Sequence, residues 1–536
     1  MNAFFKLAAA SVLAATPGLA ADPLPPEEAA LKAHVAFLAS DALRGREAGT
    51  PDYDIAAEYV AAEMMKAGLE PAGPNGSWFQ QVPMMVSRPT GQPTMTMTVA
   101  GRTTALVFNT DWTLRRTTGV ERLDVAGPVV FAGYGVVDPS TGRDDYRGLD
   151  VRGKIVAMFQ SGPKGGNSEV AAHLGNRVDR AKLARARGAT GVLMIESSQI
   201  HARLPFSRQA EDWDARAVTW VGADGRPRDE GAPGLGVIGY AGAAKLFAGS
   251  RIRWADVLAA DTAGRAVPTG PLAASIATSQ RYTVERIRSA NVVGRLPGSD
   301  ARFDAEHIVL SGHLDHVGVT RPVEGDGINN GAMDNAIGIA SMLEVARAFQ
   351  KSGERPKRSL LFAAVTAEEK GLIGSDYLAS NPLASARTVV ANVNLDMPLL
   401  TYKFTDLTAY GADRSTIGPV AAAAARAEGY RLAPDPSPEE AIFTRSDHYS
   451  WVRQGVPSVF LVTGYGGPGK AAWERFLKNH YHRPSDEIGL PIDWTATRGF
   501  VRVNYAIARA LANATDRPRW VRGDYFGTAF RGPMAR

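Results

Sequence analysis

Two glutamates stand side by side at 368 and 369, in TAEEKGLIGS, directly after the apolar run SLLFAAVTA. The run reads as a buried strand, and Gly371 and Gly374 put the pair at its end or on the turn that leaves it. Adjacent carboxylates in such a place are unstable unless positive charge holds them. A divalent metal does this: one carboxylate binds it while the other works as a base on water that the metal has acidified. A helix N-terminus also welcomes acids, and the pair alone does not choose between the two.

Four more stretches carry metal-type residues. SGHLDHVG supplies His313, Asp315 and His316. In a strand, 313 and 315 point the same way, which lets Asp315 orient the His313 imidazole. NGAMDNAIG supplies Asp334 just ahead of a helix, where an N-cap is the plainer role. NVNLDMP supplies Asp396 at the end of an apolar strand, and NHYHRPSDE supplies His480 and His482 in a loop. Each fragment is weak alone. Together, His313, His482, Asp334, Asp396, Glu368 and Glu369 suit two hard-to-borderline divalent ions, zinc first among them.

The elements that must position these residues lie from Tyr282 onward. Strand candidates TVERIRSANVVGRL, HIVLSGHLD, SLLFAAVTA, TVVANVNLDM and PSVFLVTG alternate with the amphipathic stretches AIGIASMLEVARAFQ, IGPVAAAAARAEG and WTATRGFVRVNYAIARALANA. That alternation predicts an α/β fold, a mixed, mostly parallel sheet with helices on both faces. Sites in such folds gather at the carboxyl ends of the strands, where the candidate ligands sit. Upstream, residues 27–69 read as two helices joined by the turn-rich DALRGREAGTPDY, and residues 79–118 as short strands. A block from 120 to 275, β-rich with a helix in RAKLARARGATGVLMIES, reads as a unit of its own. The division is then 1–20 export signal, 21–119 and 276–515 catalytic, 120–275 inserted, and 516–536 a basic, aromatic tail expected to wrap the surface.

Composition narrows the function. The chain has 536 residues, 45% of them hydrophobic, and a net charge of +5. That small charge and the lack of a long basic run argue against nucleic-acid binding. Lys6, the apolar LAAASVLAA and the small-residue end Gly18-Leu19-Ala20 read as a secretory signal, too short in its apolar core to span a membrane. A retained N-terminal anchor is the alternative. Secretion or a periplasmic location follows, with no stable membrane span after cleavage. There is no cysteine, so any metal is held by His, Asp and Glu.

With HLDHVG, GAMDNAIG, TAEEKGLIGS, NLDM and YHRPSD in this order, the sequence resembles the co-catalytic zinc peptidases of metallopeptidase family 28 (clan MH), which includes leucyl aminopeptidases and glutamate carboxypeptidase-like enzymes. HVAFLASDALRGREAGTPDYDIAAEYVAAEMMKAGLEPAG resembles the family's opening. DVRGKIV and KLARARGATGVLMI resemble a protease-associated domain inserted in the catalytic domain. The resemblance implies two zinc ions per chain, one on His313 and Asp396, the other on Glu369 and His482, with Asp334 bridging. It makes Glu368 the general base, Asp315 the residue that orients His313, and Tyr481 the candidate donor to the scissile carbonyl. The Asp334–Asn335 peptide is expected to be cis.

Some positions depart from the pattern. Met333 and Ile337 replace an acid and a small polar residue, which implies a changed pocket wall or support. Pro398 follows NLDM and is expected to alter the loop beside the site. FTRSDHYSW places Arg445, Asp447 and His448 near the site in a supporting or substrate-side role. His307, His316 and His480 read as structural. The implied activity is a zinc exopeptidase acting on peptides, an aminopeptidase ahead of a carboxypeptidase or dipeptidase. A carboxypeptidase would need a cationic clamp, for which Arg445 is the candidate. Glutaminyl cyclase-like acyl transfer and a metal-free binding protein are the remaining alternatives. Oligomeric state is not legible in the sequence.

Overall fold

The computed structural model describes residues 24–115, 117–383 and 388–536. The signal read at 1–20 lies outside the described residues. At the centre of the catalytic sheet the strand Glu306–His313 runs parallel to Ser359–Val365 on one side and Thr388–Asn394 on the other. Ser458–Thr463 extends the parallel set. Antiparallel strands flank it. Gly270–Leu296 pairs with Ser359–Val365, Phe79–Pro89 pairs with Gly270–Leu296, and Asp406–Tyr410 pairs with Ser458–Thr463. The fold is mixed α/β, with a parallel centre and antiparallel margins. TVERIRSANVVGRL, expected as one strand of the alternating set, is the second half of the long antiparallel strand.

The strands Glu306–His313 and Ser359–Val365 are buried at every position because both faces are covered. Their two-residue period sorts them cleanly. Ile308, Leu310, Leu360 and Phe362 join a core with the helices Pro26–Leu38, Pro51–Lys66, Ile337–Ser352 and Trp494–Asn513. Val309, Leu361, Ala363 and Val365 face the other way, against Leu378 of Ile373–Ser380 and Trp451 of His448–Val452. With its neighbours in register on both sides, the end of Glu306–His313 is fixed, and so is His313.

A second sheet has its own apolar core around Trp112, Phe131, Phe159 and Leu235. Its parallel strands are Arg122–Phe131, Ile155–Phe159, Gly191–Ile195 and Gly234–Ile238. Thr94–Val99 and Arg102–Ala105 also pair into it, so it draws on residues ahead of 120. Gly270–Leu296 belongs to both sheets, pairing with Thr94–Val99 through its first half and with Phe79–Pro89 through its second. The two parts are docked by a bidentate Arg453–Asp179 pair at 2.7 and 2.9 Å. Tyr449 and His173 meet across the same seam at 2.7 Å, while Trp220, on the strand Ala217–Trp220 that pairs with Phe79–Pro89, donates to Asp376 at 2.6 Å.

The tail does not simply wrap the surface. Trp520 and Phe526 are fully buried, and the Trp520 indole donates to the Gly455 carbonyl. Among the described residues, no helix is long and apolar enough to cross a membrane.

Candidate metal centre and active site

Three loops that leave the ends of the parallel strands bring the carboxylates together. His313 closes its strand, Glu368 and Glu369 follow Ser359–Val365, and Asp396 follows Thr388–Asn394. Asp334 sits on an irregular turn just before the helix Ile337–Ser352, and its peptide bond to Asn335 is cis. His482 lies in the loop after the helix Gly469–Asn479. Its φ of 54° is left-handed.

Asp334 stands between two groups. One of its oxygens lies 3.3 Å from His313 Nε2, which is also 3.2 Å from Asp396. Its other oxygen lies 3.2 Å from His482 Nε2, which is also 3.2 Å from Glu369. One ligand atom each from His313, Asp334 and Glu369 falls within 4.8 Å of the others. The arrangement divides into a His313–Asp396 half and a Glu369–His482 half that share Asp334.

The electrostatics of this cluster suit cations. Glu368 is held well above the usual carboxylate range by burial and, against the pull of His313, by Glu369, Asp447 and Asp396. Burial lifts Asp315 and Asp486 to about 6, and Asp447 to about 7. Glu369 goes the other way, down to about 2: burial and Asp334 oppose its charge, but hydrogen bonds from His316 and His482 outweigh them. Burial disfavours charge on His313, yet Asp396, Glu368 and Asp334 hold it well above its ordinary value. Seven carboxylates (Asp315, Asp334, Glu368, Glu369, Asp396, Asp447 and Asp486) and three imidazoles (His313, His316 and His482) around one small space leave an excess of negative charge. Divalent cations on hard oxygen and imidazole donors would offset it, so the residues present fit zinc.

The supports are specific. The Asp315 carboxylate accepts from the main-chain N–H groups of Glu368 (3.0 Å) and Glu369 (3.4 Å). It thereby fixes the glutamate turn. The His313 ring is met instead by the main-chain carbonyl of Asp315, at 3.1 Å from Nδ1. This differs from the side-chain contact expected from the strand alternation, because the strand ends at His313 and the chain turns there. His316, read as structural, donates from Nδ1 to Glu369 at 2.8 Å.

Sequence reasoning assigned nothing to several further residues. Asp486 accepts from the N–H groups of Met333 and Asp334 at 2.8 and 3.0 Å, holding the turn that carries Asp334. A buried polar chain runs from Asn392 through Ser311 and Asn394 to Ser446, which donates to Asp396 at 2.5 Å. The fully buried Arg46 guanidinium donates to the carbonyls of Leu38, Leu314, Asn330 and Gly331. Asp447 is buried beside the cluster, and His448 packs between Phe443 and Phe460. Met333 and Ile337 are core residues behind the site, not part of a pocket wall. The Pro398 carbonyl accepts from the Thr463 N–H and hydroxyl, fixing the loop after Asp396. His480 meets Ser485 and lies apart from the cluster.

Two cavities open on the cluster and share Glu368, Arg445 and Tyr481. One, of about 380 Å³, reaches past His313, Asp334, Asp396 and His482 into an apolar end formed by Phe460, Val462, Trp473 and Leu477. The other, of about 440 Å³, runs between the two sheets. The Tyr481 ring stacks on His482 at 3.9 Å, which puts its hydroxyl-bearing side chain at the junction of the two spaces. Arg445 is paired with Glu440 at 3.0 Å on the rim.

This chain is 35% identical over 112 residues to a probable zinc metalloprotease of Pyrenophora teres f. teres (strain 0-1), 21% of this chain and 23% of that protein. It is 35% identical over 122 residues to leupeptin-inactivating enzyme 1 of Streptomyces exfoliatus, 22% of this chain and 25% of that one. The matched stretch thus spans about a quarter of these relatives' length. Among solved structures, an aminopeptidase from Aneurinibacillus sp. strain AM-1 aligns over 91% of this chain and 95% of its own, at 19% identity and a TM-score of 0.49. A zinc aminopeptidase from Bacillus subtilis aligns over 92% and 98%, at 18% identity and a TM-score of 0.45. Residues 291–508 match the family model described as Peptidase family M28. That segment, which is similar to peptidase family M28, contains every residue of the His–Asp–Glu cluster.

Proposed function

We propose that the protein is an exported zinc exopeptidase that removes N-terminal residues from peptides. The observation that carries this is the position of Asp334, one oxygen facing His313 and Asp396, the other facing Glu369 and His482, at the mouth of a one-sided apolar cavity. His313 and Asp396 would hold one zinc ion, Glu369 and His482 the other, and Asp334 would touch both. When bound, the two ions supply positive charge that acidifies water and steadies a developing oxyanion.

The chain's own residues do the rest. Glu368, a wall of both cavities, takes the proton from the attacking water and hands it to the leaving amine. Its neighbour Glu369 is occupied by His316 and His482, which divides the two glutamates between base and ligand. Tyr481 donates to the scissile carbonyl from the junction of the cavities. Asp315 and Asp486 hold the two turns that carry these groups. The apolar end of the 380 Å³ cavity takes the side chain of the first residue. The second sheet narrows access from the other side and so favours small, flexible substrates, the role of a protease-associated domain over residues 120–275. Export follows from the signal read at 1–20. The carboxypeptidase alternative loses weight because Arg445 is already paired with Glu440.

The test is a panel of short peptides with free and blocked termini, run with zinc and with chelator. Cleavage that needs a free N-terminus and is abolished by chelator is expected. Glu368→Gln is expected to keep its zinc and lose about 10²–10⁴-fold in kcat, the usual worth of a general base. Glu369→Gln is expected to lose zinc. Equal zinc loss in both variants would contradict the division of roles. Cleavage that ignores N-terminal acetylation but stops on C-terminal amidation would establish the carboxypeptidase instead.

A further inference from the structure

A third cavity, of about 590 Å³, lies within the part of the molecule built on the second sheet. It is unusually rich in guanidinium groups: Arg115, Arg177, Arg185, Arg226 and Arg228 line it, against Asp229 and Glu230. Arg185 is paired with Asp229 at 2.5 Å, and Arg228 with Asp376 at 3.1 Å. Arg115, Arg177 and Arg226 make no side-chain hydrogen bond or ion pair with another described residue, and Glu230 lines the same space. The space for Arg115 is built in. A Cβ on Gly234 would come within 2.9 Å of its Cδ, so glycine at that position leaves room for the arginine stem. Burial pushes the Arg115 guanidinium down to about 9, and Arg177 and Arg180 push it the same way, against Glu230.

This cavity continues into the catalytic one. Arg177, Val178, Arg228 and Glu230 line both it and the 440 Å³ space that ends at Glu368. On the way stand Lys370, Arg445 and Arg453, each already paired with a carboxylate. A path lined by cations therefore leads from the catalytic base to three guanidinium groups that lack partners. Burial disfavours the charge on Arg115, while Arg177 and Arg226 are exposed to water; an anion joining them would relieve the like-charge repulsion, and a guanidinium fork matches a carboxylate.

We propose that the Arg115–Arg177–Arg226 cavity is an anion subsite that receives a carboxylate of the leaving peptide, so that the enzyme selects short peptides with a negative charge downstream of the cleaved bond. This rests on the aminopeptidase reading, which puts the first residue in the apolar cavity and the remainder in the space between the sheets. The carboxylate is either the peptide's own C-terminus or an acidic side chain. No covalent step is involved; the subsite lowers KM and orients the leaving segment.

The test uses the zinc-loaded full chain and four peptides: Leu-Ala-Ala as free acid and as amide, Leu-Ala-Glu amide, and acetyl-Leu-Ala-Ala. The free acid is expected to exceed its amide about tenfold in kcat/KM, mostly through KM, as one charge-assisted contact provides. The ratio should shrink at high salt. It should fall toward one in Arg115→Met and in Arg177→Ser, the second of which changes an exposed residue and leaves the fold alone. Arg115→Lys should keep part of it. Recovery by Leu-Ala-Glu amide would assign the site to side-chain carboxylates as well, and its absence to the C-terminus alone. Equilibrium binding of acid and amide to Glu368→Gln reads the same preference without turnover. Equal cleavage and equal binding of the two overturns the subsite while leaving the aminopeptidase intact. Cleavage of the acetyl peptide overturns the aminopeptidase reading and, with it, the subsite that rests on it.

Discussion

Replacing His316 by Phe tests whether the Glu369 half of the site depends on a residue that touches no substrate. His316 is fully buried, and its Nδ1 donates to Glu369 Oε1 at 2.8 Å. The other oxygen, Oε2, is the one that faces His482 at 3.2 Å. The ring packs against Gly331, where a Cβ would come within 2.6 Å of it, so the imidazole is locked in place. Phe keeps the ring and removes the donor. A hydrogen bond to a charged acceptor is worth about 1.5–3 kcal/mol, which corresponds to about 10–150-fold in an equilibrium constant. Loss of a group that supports a metal ligand independently predicts about 10–100-fold in metal affinity. The two estimates agree, so on the proposed two-zinc reading His316→Phe should weaken the zinc ion held by Glu369 and His482 by one to two orders of magnitude. The assay is competition with a chromophoric chelator near neutral pH, resolving both ions. Because His316 lines neither catalytic cavity, kcat at saturating zinc should stay within a few-fold of the native value. Asn, whose amide nitrogen can take the place of Nδ1, should recover part of the affinity. Native zinc affinity in His316→Phe would refute the reasoning, and weakening of both ions together would make His316 a strut of the whole centre.

Arg46→Met removes donors from four carbonyls, while relieving the burial that pushes the guanidinium down to about 10. Four lost bonds at about 1 kcal/mol each, partly offset by that relief, leave a net loss of about 2–4 kcal/mol; an unshifted urea midpoint would contradict it. His448 provides a pH signature. Burial holds its imidazole down to about 3, so the folded protein stays unprotonated while the unfolded chain takes up a proton below about 6.5. Stability from this group is complete above pH ~6.5 and is lost as pH falls toward 3, with about 2 kcal/mol gone by pH ~5. His448→Phe should flatten that loss relative to the native protein in chelator-treated samples. Parallel urea midpoints for the two proteins from pH ~7.5 to ~5 would sink the assignment.

The sequence makes legible those residues whose chemistry is local. Leu360 and Leu361 read as strand because every position in their run is apolar, and the two faces of the sheet explain why it must be. His313, Glu368, Glu369 and Asp396 read as a site because each is polar where such a run ends, and Asp334 because it opens a helix. What stayed hidden is what depends on distant partners. Arg46 looked like one charge in a turn-rich loop, yet it bonds a carbonyl 284 residues away. Asp486 and Met333 are 153 residues apart, and nothing in YHRPSD says that its aspartate holds another loop. Asp315 shows the same limit at short range. Alternation along a strand predicted its direction, but the strand stopped two residues earlier and its carboxylate turned to the glutamates. Arg115 carries the argument furthest. In sequence it is one arginine among many, and only the fold reveals that its guanidinium makes no hydrogen bond or ion pair with another described residue, in a setting that disfavours its charge. A ligand residue is recognised by its type, whereas a support or a subsite is recognised by which bonds are made and which are left unmade. The unmade bonds around Arg115, Arg177 and Arg226 are therefore where the structure adds most to the sequence, and a carboxylate there would complete a charge balance that this chain alone does not close.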